Sequence, residues 1–284
     1  MIVAPDTTAL RHHTRGLKDS SRRIAFVPTM GNLHAGHLAL VTQAQACADA
    51  VVVSIFVNPM QFAAHEDLDK YPRTLDADLA ALESIGVDVV FTPTVTDVYP
   101  EGVKAHTAIH VPVLGDVLCG RERPGHFDGV CTVVYKLFEM VKPDVTVFGE
   151  KDLQQLLIIK KMVIDLNLAI DVQSGPTQRA ADGLALSSRN QYLTADERMV
   201  APKLWETLQA CAGEIRSAAG REGGSILDVG RASLEEAGFA VDYLELRVLS
   251  TLAESESLSE DCALFVAARL GQTRLIDNIQ ITAI

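Results

Sequence analysis

The sequence predicts an α/β protein, with a doubly wound parallel sheet and a second, smaller α+β domain. Between residues 23 and 173, short apolar runs alternate with helical stretches at the spacing typical of a parallel sheet. The runs are continuously apolar, as expected of strands covered on both faces. A segment rich in Gly, Pro and Ser begins at residue 173 and breaks this alternation. We therefore predict two domains, residues 1–176 and residues 177–284.

The elements of the first domain follow in chain order. Strands are predicted where apolar and β-branched residues cluster, at 23–28, 50–57, 87–91, 144–148 and 168–172. Helices are predicted between them, ending at 48 and covering about 74–85, 129–140 and 152–166. Ligands of such sheets bind beyond the carboxyl ends of the strands. The turns after Pro28, Val57 and Phe148 are therefore the candidate site.

The second domain begins with a capping-box pattern, Thr194 with Glu197. One helical stripe is predicted to follow it, formed by Val200, Leu204, Leu208, Cys211 and Ile215. A shorter helix is predicted from about Ser225 to a C-cap at Gly238. Leu244, Leu246 and Val248 alternate with Glu245 and Arg247, which predicts a half-buried strand. Two more strands are predicted, at 262–270 and 274–281.

Composition excludes several classes of function. The chain has 284 residues, of which 48% are hydrophobic and 22% charged, so disorder is excluded as its main state. No apolar run approaches the roughly 18 residues that a membrane span requires. A net charge of −12 makes general nucleic-acid binding unfavourable, because phosphate neutralisation needs clustered Lys and Arg. We expect no membrane and no nucleic-acid partner, whereas a small anionic ligand remains compatible with the charge.

The cysteines predict a reducing compartment. Five are present, with no C-x-x-C pair, so a disulfide framework or zinc knuckle is not expected. Reduced, buried thiols in a cytoplasmic protein fit this pattern. The N-terminal residues also lack the long apolar segment of a secretory signal.

The strongest motif is PTMGNLHAGHLALV, which follows the first predicted strand and opens a helix. His34 and His37 lie three residues apart and share one helix face. Gly31 and Gly36 let a ligand approach the backbone closely. Because a helix N-terminus attracts anions, two imidazoles there can donate to phosphate oxygens. The alternative is a turn whose two histidines are satisfied within the protein.

A second motif, FGEKD, joins another predicted strand to a helix. Lys151 there opposes the helix dipole by about 0.3–1 kcal/mol, which favours a bound anion beside it over a solvated lysine. Asp152 and Gln155 have capping-box spacing, so Gln155 is either a cap or a ligand group.

Two weaker motifs complete the candidate site. Ser187 and Ser188 beside Arg189 suit phosphate recognition, although such stretches are also common in surface loops. Asn58-Pro59 ends a strand as a turn and places Gln61 at the carboxyl edge of the sheet. A turn without further role is the alternative there.

Several segments in this order resemble the pantoate–β-alanine ligase family: PTMGNLHAGH, VSIFVNPMQF, YPRTLDADL, RPGHFDGV, FGEKDLQQL, DGLALSSRN and RLIDN. The family belongs to the H-x-G-H nucleotidyltransferases, with the class I aminoacyl-tRNA synthetases. The resemblance implies a homodimer, each subunit having a Rossmann-like domain and a C-terminal lid. It implies ATP with Mg²⁺. It also implies two steps, in which pantoate and ATP give pantoyl adenylate and pyrophosphate, and β-alanine then gives pantothenate and AMP.

The resemblance assigns roles to individual residues. The implied ATP-binding residues are Met30, Gly31, Asn32, Leu33, His34, Ala35, Gly36, His37, Gly149, Glu150, Lys151, Asp152, Gln178, Leu186, Ser187, Ser188 and Arg189. The implied catalytic residues are His34, His37 (as proton donor) and Lys151. The implied pantoate or β-alanine ligands are Gln61, Gln155, Asn58, Arg123 and Tyr71. Gln178 departs from the more apolar family pattern, which is tolerated if its adenine contact is made by the main chain.

Two other functions fit the same motifs. Another H-x-G-H nucleotidyltransferase would release pyrophosphate without requiring an amine. A regulatory nucleotide-binding module would bind ATP without turnover, although the presence of both histidines, Lys151 and Arg189 counts against it.

Overall fold

The computed structural model describes residues 1–63, 66–217 and 223–283. Its helices and strands, in chain order, are β1 (Ile2–Ala4), α1 (Thr7–Asp19), β2 (Ile24–Thr29), α2 (Ala35–Cys47), β3 (Ala50–Ile55), α3 (Leu75–Ser84), β4 (Val89–Phe91), α4 (Val95–Val98), α5 (Cys119–Glu122), α6 (His126–Val141), β5 (Val145–Gly149), α7 (Leu153–Asp165), β6 (Asp171–Gly175), α8 (Ala195–Val200), α9 (Lys203–Ser217), α10 (Gly223–Glu236), β7 (Phe239–Val248), β8 (Cys262–Leu270) and β9 (Thr273–Ile281). Short 3-10 turns lie at Pro59–Gln61, Glu150–Asp152 and Ser188–Tyr192.

The chain forms two compact units. Unit 1 comprises Met1–Gly115, Arg123–Glu150 and Gln154–Pro176. Unit 2 comprises Asp116–Glu122, Lys151–Leu153 and Thr177–Ile284. Two short segments from the first 176 residues therefore pack with the C-terminal part of the chain.

Unit 1 contains, in the described residues, a six-stranded parallel sheet of order β1-β4-β3-β2-β5-β6. The chain proceeds from β2 to β3 and β4 on one side, and to β5 and β6 on the other. The strand order thus reverses at β2, which makes its carboxyl end the topological switch point where such sheets bind ligands. The predicted doubly wound parallel sheet is confirmed.

Apolar side chains cover both faces of this sheet. One face packs against α2 and α3, in a cluster that includes Val27, Val53, Val41, Ala44 and Leu82. On β2 the ring of Phe26 lies 6.3 Å from that of Phe138 on α6, in an edge-to-face arrangement. Burial of each such side chain contributes roughly 1.5–3 kcal/mol. This double coverage explains why the strands have continuous rather than alternating apolar sequences.

The element boundaries differ from prediction mainly at two places. The last strand, predicted at 168–172, is observed as β6 at Asp171–Gly175. The reason is the end of α7, where Asn167 has a φ of +53° and the Leu168 N–H donates to the Val163 carbonyl. Leu168 therefore caps the helix instead of starting the strand. The N-terminal strand β1 and helix α1 were not predicted.

Unit 2 contains, within the described residues, a three-stranded antiparallel sheet of order β7-β8-β9. Its apolar face packs against α9 and α10 through a cluster that includes Leu204, Leu208, Leu234, Leu264 and Val266. The predicted smaller α+β domain is confirmed. Of the helices described in either unit, none has the length and apolarity to cross a membrane.

Two predictions in unit 2 are wrong in detail. The capping box of Thr194 and Glu197 is present, but the single helix predicted after it is two, α8 and α9. Pro202 lies between them, and a proline has no N–H to continue the helical ladder. The prediction that Arg247 lies on the polar face of a half-buried strand is wrong. Arg247 is only 3% exposed and donates to the Leu252 carbonyl.

Candidate active site

The loop between β2 and α2 carries residues 30–34, and its backbone conformation depends on a glycine. Gly31 has a φ of +78°, in the left-handed region that favours glycine. A Cβ there would lie 3.0 Å from Oδ2 of Asp78 and 3.0 Å from Cγ2 of Ile55. Both the backbone angle and the available space therefore require glycine at this position.

A buried carboxylate on α3 fixes the same loop. Asp78 is 3% exposed, and its oxygens accept the main-chain N–H groups of Asn32 at 2.9 Å and Leu33 at 2.8 Å. The hydroxyl of Thr74 also donates to this carboxylate. Sequence reasoning missed Asp78, because nothing in TLDAD separates it from the exposed Asp76. Through these hydrogen bonds Asp78 ties the loop to α3.

His34 and His37 cap α2 reciprocally. His34 is the N-cap, and its Nδ1 accepts the Gly36 N–H at 3.1 Å. The Nδ1 of His37 accepts the His34 N–H at 3.3 Å, and the two ring centroids lie 4.1 Å apart. Since both Nδ1 atoms accept, the neutral rings carry their protons on Nε2. Each histidine thus serves the helix with one nitrogen and presents an N–H donor with the other.

Gln61 lies beside this loop, and its side chain is oriented by Asn58. The Asn58 Nδ2 donates to Gln61 Oε1 at 3.2 Å, and the Gln61 Nε2 lies 3.0 Å from Met30 Sδ. Asn58 is itself 1% exposed and accepts from the Tyr99 hydroxyl at 2.8 Å. Burial raises the pKa of Tyr99, which keeps that hydroxyl protonated as a donor. Asn58 is therefore a support for Gln61 within the protein.

The turn that bears Gln61 packs directly on α6. At Gly129 a Cβ would lie 2.5 Å from the Met60 carbonyl oxygen, so the close approach requires glycine. The Gly129 carbonyl also accepts from Asn58 Nδ2 at 3.1 Å. The sequence analysis identified the FDGV segment only through the family resemblance. The backbone of this segment positions the turn that bears Gln61.

Arg123 forms an ion pair next to Gln61. Its guanidinium binds both carboxylate oxygens of Glu66, with Nη2 at 2.7 Å from Oε2. Burial alone would raise the pKa of Glu66, but the hydrogen bond and charge of Arg123 outweigh it and lower that pKa to about 2. The Gln61 carbonyl accepts from Arg123 Nη2 at 3.2 Å and lies 2.8 Å from Nδ1 of His126. Glu66 and His126 were not identified from sequence.

The remaining predicted residues of unit 1 lie at two places. Gly149 ends β5, which neighbours β2 in the sheet, and Glu150 follows it. Gln155 lies half-buried in the first turn of α7. Its neighbour Gln154 is buried and donates to the Leu114 carbonyl at 2.9 Å. Tyr71 is 5% exposed, and its ring lies edge-to-face on Phe62 at 5.8 Å.

Unit 2 contains Lys151 and Asp152, in the 3-10 turn before α7. The Lys151 ammonium lies 3.7 Å from Asp152 Oδ2, and the Lys151 side chain is 19% exposed. The Lys151 main-chain carbonyl accepts from Asn278 Nδ2 at 3.0 Å. The predicted helix-start lysine is thus held through its backbone, and its largely buried side chain places the ammonium near Asp152.

The Leu186–Arg189 segment in unit 2 follows a short antiparallel bridge between Arg179 and Ala185. The Leu186 N–H donates to the Gln178 carbonyl at 2.9 Å, and the Ser187 hydroxyl accepts the Arg189 N–H at 3.3 Å. The two serines and Arg189 therefore begin a 3-10 turn of defined geometry.

A family profile described as Pantoate-beta-alanine ligase matches residues 3–280. The chain belongs to this family. Pantothenate synthetase of Chromohalobacter salexigens is 51% identical over 282 residues, which cover 99% of each chain. That of Pseudomonas entomophila is 53% identical over 270 residues, covering 95% of this chain and 94% of the relative.

Solved structures of pantoate–β-alanine ligases have the same fold. Pantothenate synthetase of Thermus thermophilus matches with a TM-score of 0.90 and 41% identity, over 98% of this chain and 99% of that one. The enzyme of Francisella tularensis, described as complexed with Beta-gamma ATP and Beta-alanine, matches with a TM-score of 0.82 and 35% identity. Its match covers 98% of this chain and 97% of that one. The family resemblance inferred from the motifs is confirmed.

For a pantoate–β-alanine ligase, the arrangement in unit 1 is chemically suited to an anionic nucleotide. The structure brings Met30, His34, His37 and Gln61 together at the switch point of the sheet, beside the N-terminus of α2. The positive end of the helix dipole attracts phosphate there. In the described parts of the chain, no group of three or more His, Cys, Asp or Glu side chains forms a metal site.

Proposed function

We propose that this chain condenses (R)-pantoate with β-alanine, using ATP and giving pantothenate, AMP and pyrophosphate. The observation that carries this proposal is the reciprocally capped pair of His34 and His37 at the switch point, in a chain 51% identical to a pantothenate synthetase over 99% of its length. The Francisella relative is described with a nucleotide and β-alanine, and we infer the same substrate classes here.

The first step forms pantoyl adenylate. A carboxylate oxygen of pantoate attacks the α-phosphorus of ATP, and the bond from that phosphorus to pyrophosphate breaks. Negative charge develops on phosphate oxygens, so fixed N–H donors stabilise the transition state. The Nε2–H groups of His34 and His37 are the proposed donors, and the positive dipole end of α2 adds to this stabilisation. His37 is the proposed proton donor to the leaving group, a role that it performs as the imidazolium, with a second proton on Nδ1 in place of the capping hydrogen bond.

The second step transfers the acyl group. The amine nitrogen of β-alanine attacks the acyl carbon, the carbon–oxygen bond to AMP breaks, and the amine releases its proton to water. Both nucleophiles come from the substrates, so the protein mainly orients them, which raises their effective concentration. Gln61 and Gln155 are the proposed ligands of pantoate, since an amide both donates and accepts.

Three further predicted residues support this binding in different ways. Asn58 donates a hydrogen bond to the side chain of Gln61, and Arg123 donates one to the main-chain carbonyl of Gln61. We therefore propose that both residues act on pantoate through Gln61. Tyr71 packs behind the same turn on Phe62 and is proposed to shape the wall of the pantoate site.

The remaining nucleotide contacts are part of the same proposal. Lys151 is proposed to bind phosphate and the reacting carboxylate, and Gly149, Glu150 and Asp152 to line the nucleotide. Leu186, Ser187, Ser188 and Arg189 are proposed to bind the triphosphate. Gln178 is proposed to contact adenine through its main chain, so that its side chain matters little. Mg²⁺ is proposed to enter with ATP, bound mainly by phosphate oxygens.

We also propose the higher organisation implied by the family resemblance. Residues 1–176 would form the domain that binds ATP and pantoate, with residues 177–284 as a lid, in a homodimer. The five cysteines are free thiols, which supports a cytoplasmic protein. Sedimentation of the purified chain tests the dimer.

Pyrophosphate release and AMP formation, measured with and without β-alanine, test the function. The proposal requires pantoate-dependent pyrophosphate release in the first turnover and steady AMP formation only when β-alanine is added. Sustained pyrophosphate release without any amine would favour another nucleotidyltransferase. ATP binding without pyrophosphate release would favour a regulatory module.

A further inference from the structure

The RLIDN motif near the C-terminus has no role in the proposal above. It lies on β9, where Asp277 and Asn278 are 4% and 7% exposed. Asn278 pairs in register with Phe265 of the central strand β8, so the sheet fixes its backbone. Buried polar side chains almost always have hydrogen-bond partners, and the partners identify what these side chains hold.

The side chain of Asn278 holds the backbone of Lys151. Its Nδ2 donates to the Lys151 carbonyl at 3.0 Å, across 127 positions of the sequence. Lys151 lies in a 3-10 turn of three residues, too short to fix its own geometry by helical hydrogen bonds. The Asn278 contact therefore restrains the point from which the Lys151 ammonium extends.

Asn278 is in turn locked by its neighbour Asp277. The Asn278 main-chain N–H donates to Asp277 Oδ1 at 2.8 Å. The same carboxylate accepts two hydrogen bonds from Arg179, at 2.6 and 2.9 Å. The Arg179 guanidinium lies 3.4 Å from the centroid of the Trp205 ring and donates to the Gly183 carbonyl. Stacking and bidentate pairing give this cluster a defined orientation.

Arg179 connects this cluster to the second proposed phosphate-binding segment. It pairs with Ala185 in the bridge that leads directly to Leu186–Arg189. One buried dipeptide on β9 thus contacts both the Lys151 turn and the bridge before Ser187. Both segments belong to unit 2, and both are held by side chains of the same strand, β9.

We propose that Asn278 is a positioning residue for adenylation, which holds Lys151 where its ammonium meets the reacting phosphate. The inference rests on the proposed phosphate-binding role of Lys151. Displacement of a reacting group by about 1 Å can slow a step by roughly 100-fold. Asn278 should therefore affect the rate of adenylation more than the binding of pantoate.

The test compares Asn278→Ala and Asn278→Asp in the full chain with Gln280→Ala, a change at an exposed position of the same strand. Asn278→Asp keeps the side-chain shape but cannot donate to the Lys151 carbonyl. We expect both Asn278 variants to lower kcat for pantoate-dependent pyrophosphate release by about 10- to 100-fold. The KM for pantoate should change by a smaller factor than kcat, and Gln280→Ala should behave as wild type.

A double variant shows whether Asn278 acts through Lys151. If it does, adding Asn278→Ala to Lys151→Met should lower pyrophosphate release by less than about twofold further, because coupled residues are not additive. Losses that multiply would overturn the proposal. Normal kcat in the Asn278 variants, or failure of both to fold, would also overturn it, since Asn278 would then be neutral or only structural.

Lys151→Met alone separates this inference from the proposed function. If it keeps wild-type pyrophosphate release, the assigned role of Lys151 fails, and the inference fails with it. If it loses adenylation while the Asn278 variants remain normal, the role of Lys151 stands and only the positioning role of Asn278 is overturned.

Discussion

Asp78→Asn tests how the loop before α2 is held. The native carboxylate accepts two main-chain N–H groups, at 2.9 and 2.8 Å, in a site that is 3% exposed. An amide of the same shape retains one acceptor, so its NH₂ group faces one of these donors and leaves it unpaired. A hydrogen bond to a charged group contributes about 1.5–3 kcal/mol, and an unpaired buried donor costs about 1–3 kcal/mol. We expect a loss of about 2–4 kcal/mol in the free energy of unfolding.

The same substitution should reduce catalysis, because the displaced loop leads into His34 and His37. A shift of this kind is expected to lower pantoate-dependent pyrophosphate release by roughly 10- to 100-fold. Asp76→Asn is the matched control, since Asp76 is exposed on the same helix and should change stability by less than about 0.5 kcal/mol. Urea unfolding and pyrophosphate release are measured for both variants. Equal stability and equal rates in the two variants would refute the reasoning.

Three further outcomes follow from the site. His37→Ala should fold, with a loss of about 0.5–1 kcal/mol for the missing cap, and should lose roughly 10²–10⁴-fold in pyrophosphate release; a near-native rate would remove its assigned role. Gln155→Ala should raise the KM for pantoate more than that for ATP, whereas lower thermal stability with unchanged KM values would make Gln155 a cap. Glu66 has its folded pKa lowered to about 2 from 4.5, so its stabilisation is complete above pH 4.5 and is lost as pH falls towards about 2. Glu66→Gln should lack this component in urea unfolding across that range, and a pH dependence identical to wild type would contradict the pairing with Arg123.

Sequence periodicity predicted the architecture well because the central strands are buried on both faces. The continuous apolar run around Val51–Val53 has that pattern for this reason, and all three residues are at most 1% exposed. The edge strand β1 has no such signal, since Ile2 and Val3 are more than 40% exposed. The break between α8 and α9 at Pro202 was missed, because the helical spacing of apolar residues continues unchanged across it.

The histidines were recognised from sequence, but not the way in which they are held. Residue spacing placed His34 and His37 on one face, and only the coordinates show that each Nδ1 is used in capping. Asp78 lies 46 positions from Asn32, and Asn278 lies 127 positions from Lys151. Contacts over such separations leave no periodic signature. The supporting residues of a site therefore have to come from the fold.

The transfer of labelled oxygen from pantoate to AMP tests the central claim most directly. In the proposed reaction a carboxylate oxygen of pantoate becomes bonded to the α-phosphorus and leaves with AMP when β-alanine attacks the acyl carbon. Pantoate carrying heavy oxygen in its carboxylate should therefore give AMP that contains one labelled oxygen per turnover, and unlabelled pyrophosphate. Label in inorganic phosphate together with ADP, or AMP without label, would contradict activation of pantoate as an adenylate.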